Sequence, residues 1–238
     1  MNRLTSLLAV ALLLTMLYLR IYTALGMRGW AAYYLAGVTM MAAYTLGSID
    51  LKLCERRVEG KVIKPVILNV EGRVIHQEVE FKVSANSKVL LNVGGAVIPI
   101  LTSIAALTIL WRSGALNAEV WSVTTLFLTV AYNRLATMIR GRGVGVPLAT
   151  GIALTIITAE LLNASGLVRG DALTLFTFSS STVAALVGID VLNLRRAATY
   201  TARKIVLGGL GILDAIVILP TISSAVAGLL GLPVMQGL

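Results

Sequence analysis

Residues 179–220 read SSSTVAALVGIDVLNL, then RRAATYTARK, then IVLGGLGILDAIVILP. Two apolar segments flank a short basic link, and each segment carries a single aspartate, Asp190 in the first and Asp214 in the second. An aspartate at the centre of a membrane helix costs about 2.5–3.5 kcal/mol on insertion scales. Because a chain has little reason to accept that cost without a function, these two aspartates are the first candidates for a functional site.

The composition is typical of a membrane protein. Hydrophobic residues make up 57% of the 238 residues, charged residues make up 13%, and the mean hydropathy is +0.88. Soluble domains contain about 25% charged residues. The net charge of +9 is better explained by basic cytoplasmic loops than by nucleic-acid binding, so no nucleic-acid partner is expected. With one cysteine, Cys54, and one histidine, His76, the chain has no disulfide or zinc pattern, and no metal or cofactor is expected.

Seven apolar runs of about the length needed to cross a bilayer predict an all-α polytopic membrane bundle. The runs cover residues 4–24, 30–49, 90–111, 119–138, 147–162, 173–192 and 205–230. The first run has the basic start and apolar core of a signal peptide, but no small-x-small cleavage site follows it, which favours a retained helix. Pro99 is expected to kink the third helix, because proline removes a backbone hydrogen bond.

A polar segment interrupts these runs and predicts a small cytoplasmic β-hairpin insert. Between about residues 62 and 83, apolar and polar residues alternate around a Glu71-Gly72 turn signal, and Val and Ile are frequent. His76 is expected to be a surface residue of this hairpin. The chain therefore divides into helices 1–2 (residues 1–51), the β-rich insert (52–88) and helices 3–7 (89–238).

The distribution of basic residues predicts the orientation. With a cytoplasmic N-terminus, 16 of the 20 Lys and Arg residues fall in cytoplasmic segments. This bias agrees with the positive-inside rule and predicts a multi-pass protein of the cell membrane with an external C-terminus.

The same orientation gathers a layer of polar residues toward the cytoplasmic side, which predicts a substrate- or ion-binding site around the two aspartates. The members of this layer, together with two glycines near Asp214, are Asp50, Asn92, Asn133, Asn193, Gly209 and Gly211. Simpler roles are open for several of these residues: a helix-end charge for Asp50, and hydrogen bonds between helices for Asn92 and Asn133. Asp190 could instead reach water or pair with Arg195 or Arg196.

Four stretches resemble a family of uncharacterised archaeal and bacterial membrane proteins, the domain-of-unknown-function family sixteen-fourteen. They are residues 92–99 (NVGGAVIP), Arg134 with residues 143–147 (GVGVP), residues 188–194 (GIDVLNL) and residues 208–214 (GGLGILD). Together they extend over most of the chain after Gly47. The resemblance implies a polytopic membrane protein and carries no established activity.

A more distant likeness is to the presenilin-like and prepilin-peptidase aspartyl proteases. These place one aspartate near the end of a transmembrane helix and a second in a Gly-x-Gly-Asp motif on a following helix. The likeness implies that Asp190 and Asp214 fill these places, with Gly209 and Gly211 as the glycines. The sequence departs from the pattern because Ile212 and Leu213 separate Gly211 from Asp214, and no Pro-Ala-Leu motif follows.

Three functions follow from these residues. In an intramembrane aspartyl protease, Asp190 and Asp214 share a proton and activate water against a membrane-protein or peptide substrate. In a proton- or ion-coupled transporter, the same buried aspartates serve as relays or ligands. In a membrane scaffold, the cytoplasmic hairpin binds a partner and the aspartates are dispensable. The lipid bilayer is the expected surrounding in each case, and the oligomeric state is left open.

Overall fold

The computed structural model describes residues 3–70, 73–139, 143–201 and 204–231, so the Glu71-Gly72 turn lies outside the described residues. Its helices are α1 (Arg3–Ala24), α2 (Trp30–Thr45), α3 (Ile98–Arg112), α4 (Ala118–Leu135), α5 (Leu148–Ala164), α6 (Gly170–Ala185), α7 (Leu194–Thr201) and α8 (Ala215–Leu230). Its strands are β1 (Asp50–Val70), β2 (Arg73–Asn92), β3 (Thr137–Ile139), β4 (Gly143–Gly145) and β5 (Lys204–Leu207).

Helix α6 is the centre of the bundle and packs against α1, α3, α4, α5 and α8. Nearly all of its residues are buried, including a run of hydroxyl residues from Ser179 to Thr182. Small and hydroxyl side chains allow helices to approach closely without a large apolar core between them. This is why a helix so rich in Ser and Thr can occupy the middle of the molecule.

The first apolar run is part of the bundle. Leu14, Tyr18 and Ile21 of α1 are almost fully buried, and α1 packs against α2 and α8. Arg20 donates from Nη2 to the Gly228 carbonyl at 3.2 Å, which ties α1 to the end of α8. The expected first helix is therefore present, with its apolar face buried in the core.

The predicted hairpin is present and is longer than residues 62–83. Strands β1 and β2 pair antiparallel from Asp50 with Asn92 to Val70 with Arg73, with one irregularity near Lys52. At about 3.3 Å per residue, strands of this length extend for roughly 65 Å. His76 lies opposite Ile67 in this ladder. The last residues of β2 were expected to begin the third membrane span, but they are strand because they pair with the start of β1.

The predicted seventh span is wrong in its first half. Residues 204–207 form β5, which pairs parallel to β2 and completes a sheet of order β1-β2-β5. Gly208 and Gly211 then adopt φ values of +70° and +61°, which residues with a Cβ rarely tolerate. A 3₁₀ turn (Gly211–Leu213) follows, and α8 begins only at Ala215. A strand, a glycine-containing loop and a 3₁₀ turn therefore replace the first half of the expected continuous helix.

The third span also departs from a regular helix, in the segment directly before Pro99. A π-helical segment (Val93–Val97) joins β2 to α3, and Pro99 lies in the first turn of α3. The two segments form one helical run, Val93–Arg112, so Pro99 lies inside it, where proline cannot donate a backbone hydrogen bond. The irregularity lies in the π segment before Pro99.

Within the described residues, two helices are long and apolar enough to cross a membrane, Val93–Arg112 and Gly170–Ala197. Three shorter apolar helices cover Leu12–Ala24, Leu148–Ala164 and Ala215–Leu230. By length and composition alone, the two long helices indicate membrane association, and the seven-span bundle is not confirmed. Large apolar side chains are nevertheless exposed on several helices, among them Leu101, Trp111, Leu126, Phe127 and Leu161. Surfaces of this kind are usually covered by lipid or by another protein.

Candidate aspartate site

Asp190 lies where α6 ends. A π-helical segment (Leu186–Val191) continues α6 and carries this aspartate. Its Oδ2 accepts a hydrogen bond from the Gly208 backbone N–H at 3.0 Å. The alternative of a pair with Arg195 or Arg196 is not seen among the described ion pairs. The loop that precedes α8 therefore contacts Asp190 directly.

Asp214 is the N-cap of α8. Its Oδ1 accepts a hydrogen bond from Ile216 N–H at 3.1 Å, and its Oδ2 accepts one from Leu210 N–H at 3.3 Å. Aspartate is favoured at this position because the first N–H groups of a helix need acceptors and the helix dipole favours a negative charge. Asp214 had been placed about ten residues into a helix, and the break after β5 places it before the helix instead.

The two aspartates line the same cavity, which has a volume of 230 Å³. At about 30 Å³ per molecule in the liquid, the cavity has room for several waters. The other residues that line it are Val144, Ala197, Lys204, Ile205, Val206, Leu207, Gly209 and Leu210. The structure therefore brings together the two aspartates that the sequence singled out.

Glycines allow the backbone segments around the cavity to touch. A Cβ added to Gly95 would overlap the Gly208 carbonyl oxygen, and one added to Gly208 would come within 2.6 Å of the Gly95 carbonyl carbon. A Cβ on Gly94 would come within 2.9 Å of the Gly47 Cα. Gly211 packs near the same Gly47. Of the two glycines expected to bind substrate, Gly209 lines the cavity and Gly211 has this packing role.

Asn92 and Asp50 lie together at the base of the hairpin. The Asn92 Nδ2 donates to the Gly47 carbonyl at 2.7 Å and to Asp50 Oδ1 at 3.0 Å, and its Oδ1 accepts from Gly95 N–H at 2.8 Å. Lys204 Nζ lies 2.7 Å from Asp50 Oδ2. Burial disfavours the charged form of Asp50, but the hydrogen bonds from Lys204 and Asn92 and the lysine charge outweigh it and lower the pKa of this carboxyl.

Asn133 and Asn193 join α4 to the end of α6. The Asn193 Nδ2 donates to Asn133 Oδ1 at 3.0 Å and to the Gly188 and Ile189 carbonyls at the same distance. A Cβ on Gly188 would collide with the Thr129 carbonyl of α4. These contacts fit hydrogen bonding between helices, which was one of the roles left open, and they fix the π segment that carries Asp190.

Three features of the site have no separate signal in the sequence. Lys204 was counted only as a basic loop residue, yet it lines the cavity and pairs with Asp50. Strand β5 looked like the start of a helix, because a short apolar run fits either structure. The hydrogen bond to Asp190 comes from the backbone N–H of Gly208, and a backbone donor cannot be identified from residue type. Within the described residues, no group of three His, Cys, Asp or Glu residues could hold a metal ion.

A family described as a protein of unknown function (DUF1614) matches residues 45–226. The chain belongs to this family. The four stretches that carried the resemblance lie in the matched range. Residues of 143–147, 188–194 and 208–214 line one cavity, and Gly95 of 92–99 packs against Gly208. The comparisons found no matching curated protein and no matching solved structure. They therefore give no support to the likeness to presenilin-like and prepilin-peptidase proteases.

Proposed function

We propose that this chain is an integral membrane protein that hydrolyses peptide bonds with Asp190 and Asp214. The observation that carries the proposal is that both carboxylates line one cavity, and neither has an ion-pair partner among the described residues. Like charges at short range disfavour simultaneous ionisation, so such a pair retains one proton between its two members. A carboxylate beside a carboxylic acid is the arrangement that activates water in aspartic proteases.

In this mechanism, one aspartate is the base and the other is the acid. The ionised carboxylate takes a proton from water as the water oxygen bonds to the peptide carbonyl carbon, while the protonated aspartate donates to the carbonyl oxygen. Return of a proton to the amide nitrogen then allows the C–N bond to break. Asp214 accepts two backbone hydrogen bonds and Asp190 accepts one, which favours Asp214 as the base.

Strand β5 supplies a place for the substrate beside the aspartates. It is the edge strand of the described sheet, so no described strand pairs with its second side, and Ile205 and Val206 line the cavity. A free strand edge can bind an extended peptide through main-chain hydrogen bonds, largely independently of its sequence. The substrate class is therefore an extended, apolar segment of a membrane protein or peptide.

The test is cleavage of single-span reporter proteins by the purified protein in liposomes, read by mass spectrometry of the products. Asp190→Asn and Asp214→Asn should each reduce cleavage by a factor of about 10²–10⁴, because Asn keeps the shape but cannot transfer the proton. Asp171→Asn is the matched control, since Asp171 is an exposed carboxylate that pairs with Arg20 away from the cavity. Absence of cleavage across reporters of varied sequence, or equal loss in the control, would reject the proposal.

A proton- or ion-coupled transporter is the second candidate. The observation that favours it is a set of buried hydroxyls on α6 and α8 that lack hydrogen-bond partners, Thr174, Thr177 and Ser223. Such groups can bind a passing ion or water. In the same liposomes, dye-reported proton uptake that disappears in both aspartate variants, with no peptide cut, would select this candidate.

The proposed orientation places the N-terminus and the hairpin base in the cytoplasm and the C-terminus outside. Cys54 is free and exposed on β1, so it reports the side on which the hairpin lies. A thiol reagent that cannot cross membranes should label Cys54 only after the cells are opened. Labelling of intact cells at the same rate would reverse the orientation.

A further inference from the structure

We propose that Asn92, Asp50 and Lys204 form a clasp that positions the two aspartates, and that Asn92 and Asp50 act as positioning residues with no contact to substrate or ion. The inference rests on the proposed function of Asp190 and Asp214. It gives Asn92 and Asp50 a role different from the ion or substrate binding expected from the sequence. Four sets of contacts carry it.

Both polar atoms of the Asn92 side chain are engaged within the protein. A side-chain amide has two N–H donors and one carbonyl acceptor. In Asn92 the donors bind the Gly47 carbonyl and Asp50 Oδ1, and the acceptor binds the Gly95 N–H. The residue is only 2% exposed. An aspartate here would lose both donors, and a leucine would remove the partner of the Gly47 carbonyl, Asp50 Oδ1 and the buried Gly95 N–H, so an amide fits this position best.

Asp50 connects Asn92 to Lys204. One oxygen of Asp50 accepts from Asn92, and the other pairs with the Lys204 Nζ at 2.7 Å. Lys204 is the first residue of β5, which leads directly into the loop that carries Gly208 and Asp214. Both oxygens of Asp50 are therefore used to hold the start of this segment against the hairpin base.

The backbone continues the connection to the aspartates. Gly95, which Asn92 binds, lies directly against Gly208, and neither position has space for a Cβ. The Gly208 N–H donates to Asp190 Oδ2, and the same loop ends at the N-cap Asp214. A movement of β5 or of Gly95 would therefore change the position of the donor to Asp190 and of Asp214 itself.

The separation of the two carboxylates can be measured without any enzymatic assay. We would replace both aspartates by cysteine in a Cys54→Ser background and measure the rate at which a short thiol-specific reagent bridges positions 190 and 214. The parent with an intact clasp should be bridged. Failure of the parent to be bridged would overturn the proposal, because the two side chains would then not share the cavity.

The clasp variants should slow this reaction. Asn92→Ala should lower the bridging rate by about tenfold, since small displacements have large effects on a reaction that needs close approach. Lys204→Gln should lower it by about twofold, because the pair with Asp50 is largely exposed. Lys204→Gln serves if Asn92→Ala does not fold, because the Lys204 side chain is 58% exposed. Lys204→Arg keeps the charge pair and should retain the parental rate.

The matched control is Lys52→Ala. Lys52 pairs with Glu55 at 2.8 Å near the same hairpin base, but neither residue belongs to the clasp. Bridging in this variant should equal that of the parent. Parental rates in Asn92→Ala and Lys204→Gln would overturn the clasp. Slow bridging in these variants, combined with a parent that cleaves no reporter, would support the clasp and reject the protease.

Discussion

The two ends of the α6–α8 helix pair differ in their charged residues: one end has an ion pair, and the other has two carboxylates in one cavity. At one end, where α6 begins and α8 finishes, Arg20 lies 2.8 Å from Asp171 and donates to the Gly228 carbonyl. At the other end, Asp190 and Asp214 share a cavity, and none of the described residues forms an ion pair with either. The helices are antiparallel, so each end brings together the start of one helix and the finish of the other.

This difference distinguishes contacts that stabilise the bundle, at the Arg20 end, from the candidate functional residues at the aspartate end. A hydrogen-bonded pair of opposite charges is compatible with a stable folded structure. Repulsion between two carboxylates in one cavity lowers that stability. Departures from local rules of this kind concentrate at functional sites, where the rest of the fold compensates. Here the compensation comes from the interlocked glycines and the clasp, which are found at the aspartate end.

Glycine substitutions should show the largest difference between the two ends. Gly95→Ala should lower the free energy of unfolding by about 3 kcal/mol, because the new Cβ meets backbone atoms that cannot turn away. Gly228→Ala should cost about 1 kcal/mol, because its Cβ meets the Thr174 hydroxyl and the Arg20 side chain, which can rotate. Thermal unfolding in detergent would measure both.

The control for these variants is Gly37→Ala. Gly37 lies within α2 and has no atom within 4 Å of an added Cβ. This variant should be neutral or more stable by up to about 1 kcal/mol, because alanine is the better helix former. If Gly95→Ala and Gly228→Ala lost the same free energy of unfolding, the proposed difference in packing between the two ends would be wrong.

Loss of the Arg20 ion pair should have the next largest effect. Arg20→Leu should cost about 1–2 kcal/mol, because it leaves the Gly228 carbonyl without its donor and Asp171 without its partner. Lys52→Leu should cost less than about 0.5 kcal/mol, because its pair with Glu55 is solvent-exposed. Chemical unfolding of both variants would rank them, and a reversed order would contradict a stabilising role for the Arg20 end.

Substitutions of Asp214 can separate its structural role from its charge. Asp214→Asn keeps an acceptor for the Ile216 N–H and removes the repulsion from Asp190, whereas Asp214→Ala removes the acceptor as well. We therefore expect the Asn variant to be more stable than the Ala variant by about 1 kcal/mol, the usual value of an N-cap. Equal melting temperatures would show that Asp214 does not cap α8 in solution.

The smallest expected effect is the loss of stability at acidic pH when Asp50 of the Asp50–Lys204 ion pair is protonated. The pKa of Asp50 is held below its ordinary value of 3.8, so its stabilising contribution is complete above about that pH and is lost as pH falls through the lower folded value. Because the Lys204 partner is 58% exposed, we expect a contribution of about 0.5 kcal/mol. Asp50→Asn should flatten the acid limb of the stability curve, and an unchanged limb would contradict the charge pair.

The sequence predicted the helices that are continuous apolar runs, and it singled out two aspartates that line one cavity. The runs that became α1, α4 and α5 have no competing pattern, and the two aspartates were visible because carboxylates are rare in such surroundings. Residues 205–207 were misassigned because three apolar residues fit a strand and a helix equally well. What made them a strand is pairing with β2, which lies far away in the chain.

The contacts of the clasp could not be predicted from the sequence either, because they also depend on pairing between distant parts of the chain. Asp50 and Asn92 looked like two separate polar intrusions, since each was expected at the end of a different membrane helix. Their hydrogen bond depends on the hairpin register, which pairs Asp50 directly with Asn92. The contribution of Lys204 depends on a strand that had been interpreted as helix.

The sequence distance between the partners has a consequence for the order of folding. Asp50 and Lys204 are 154 positions apart, and Arg20 and Gly228 are 208 apart. Contacts between such distant positions form late, because the intervening chain must first be synthesised and ordered. During synthesis, β2 therefore has an open edge until residues 204–207 leave the ribosome. The aspartate cavity is completed only in the last part of translation, so a chain that ends before β5 exposes that edge to aggregation.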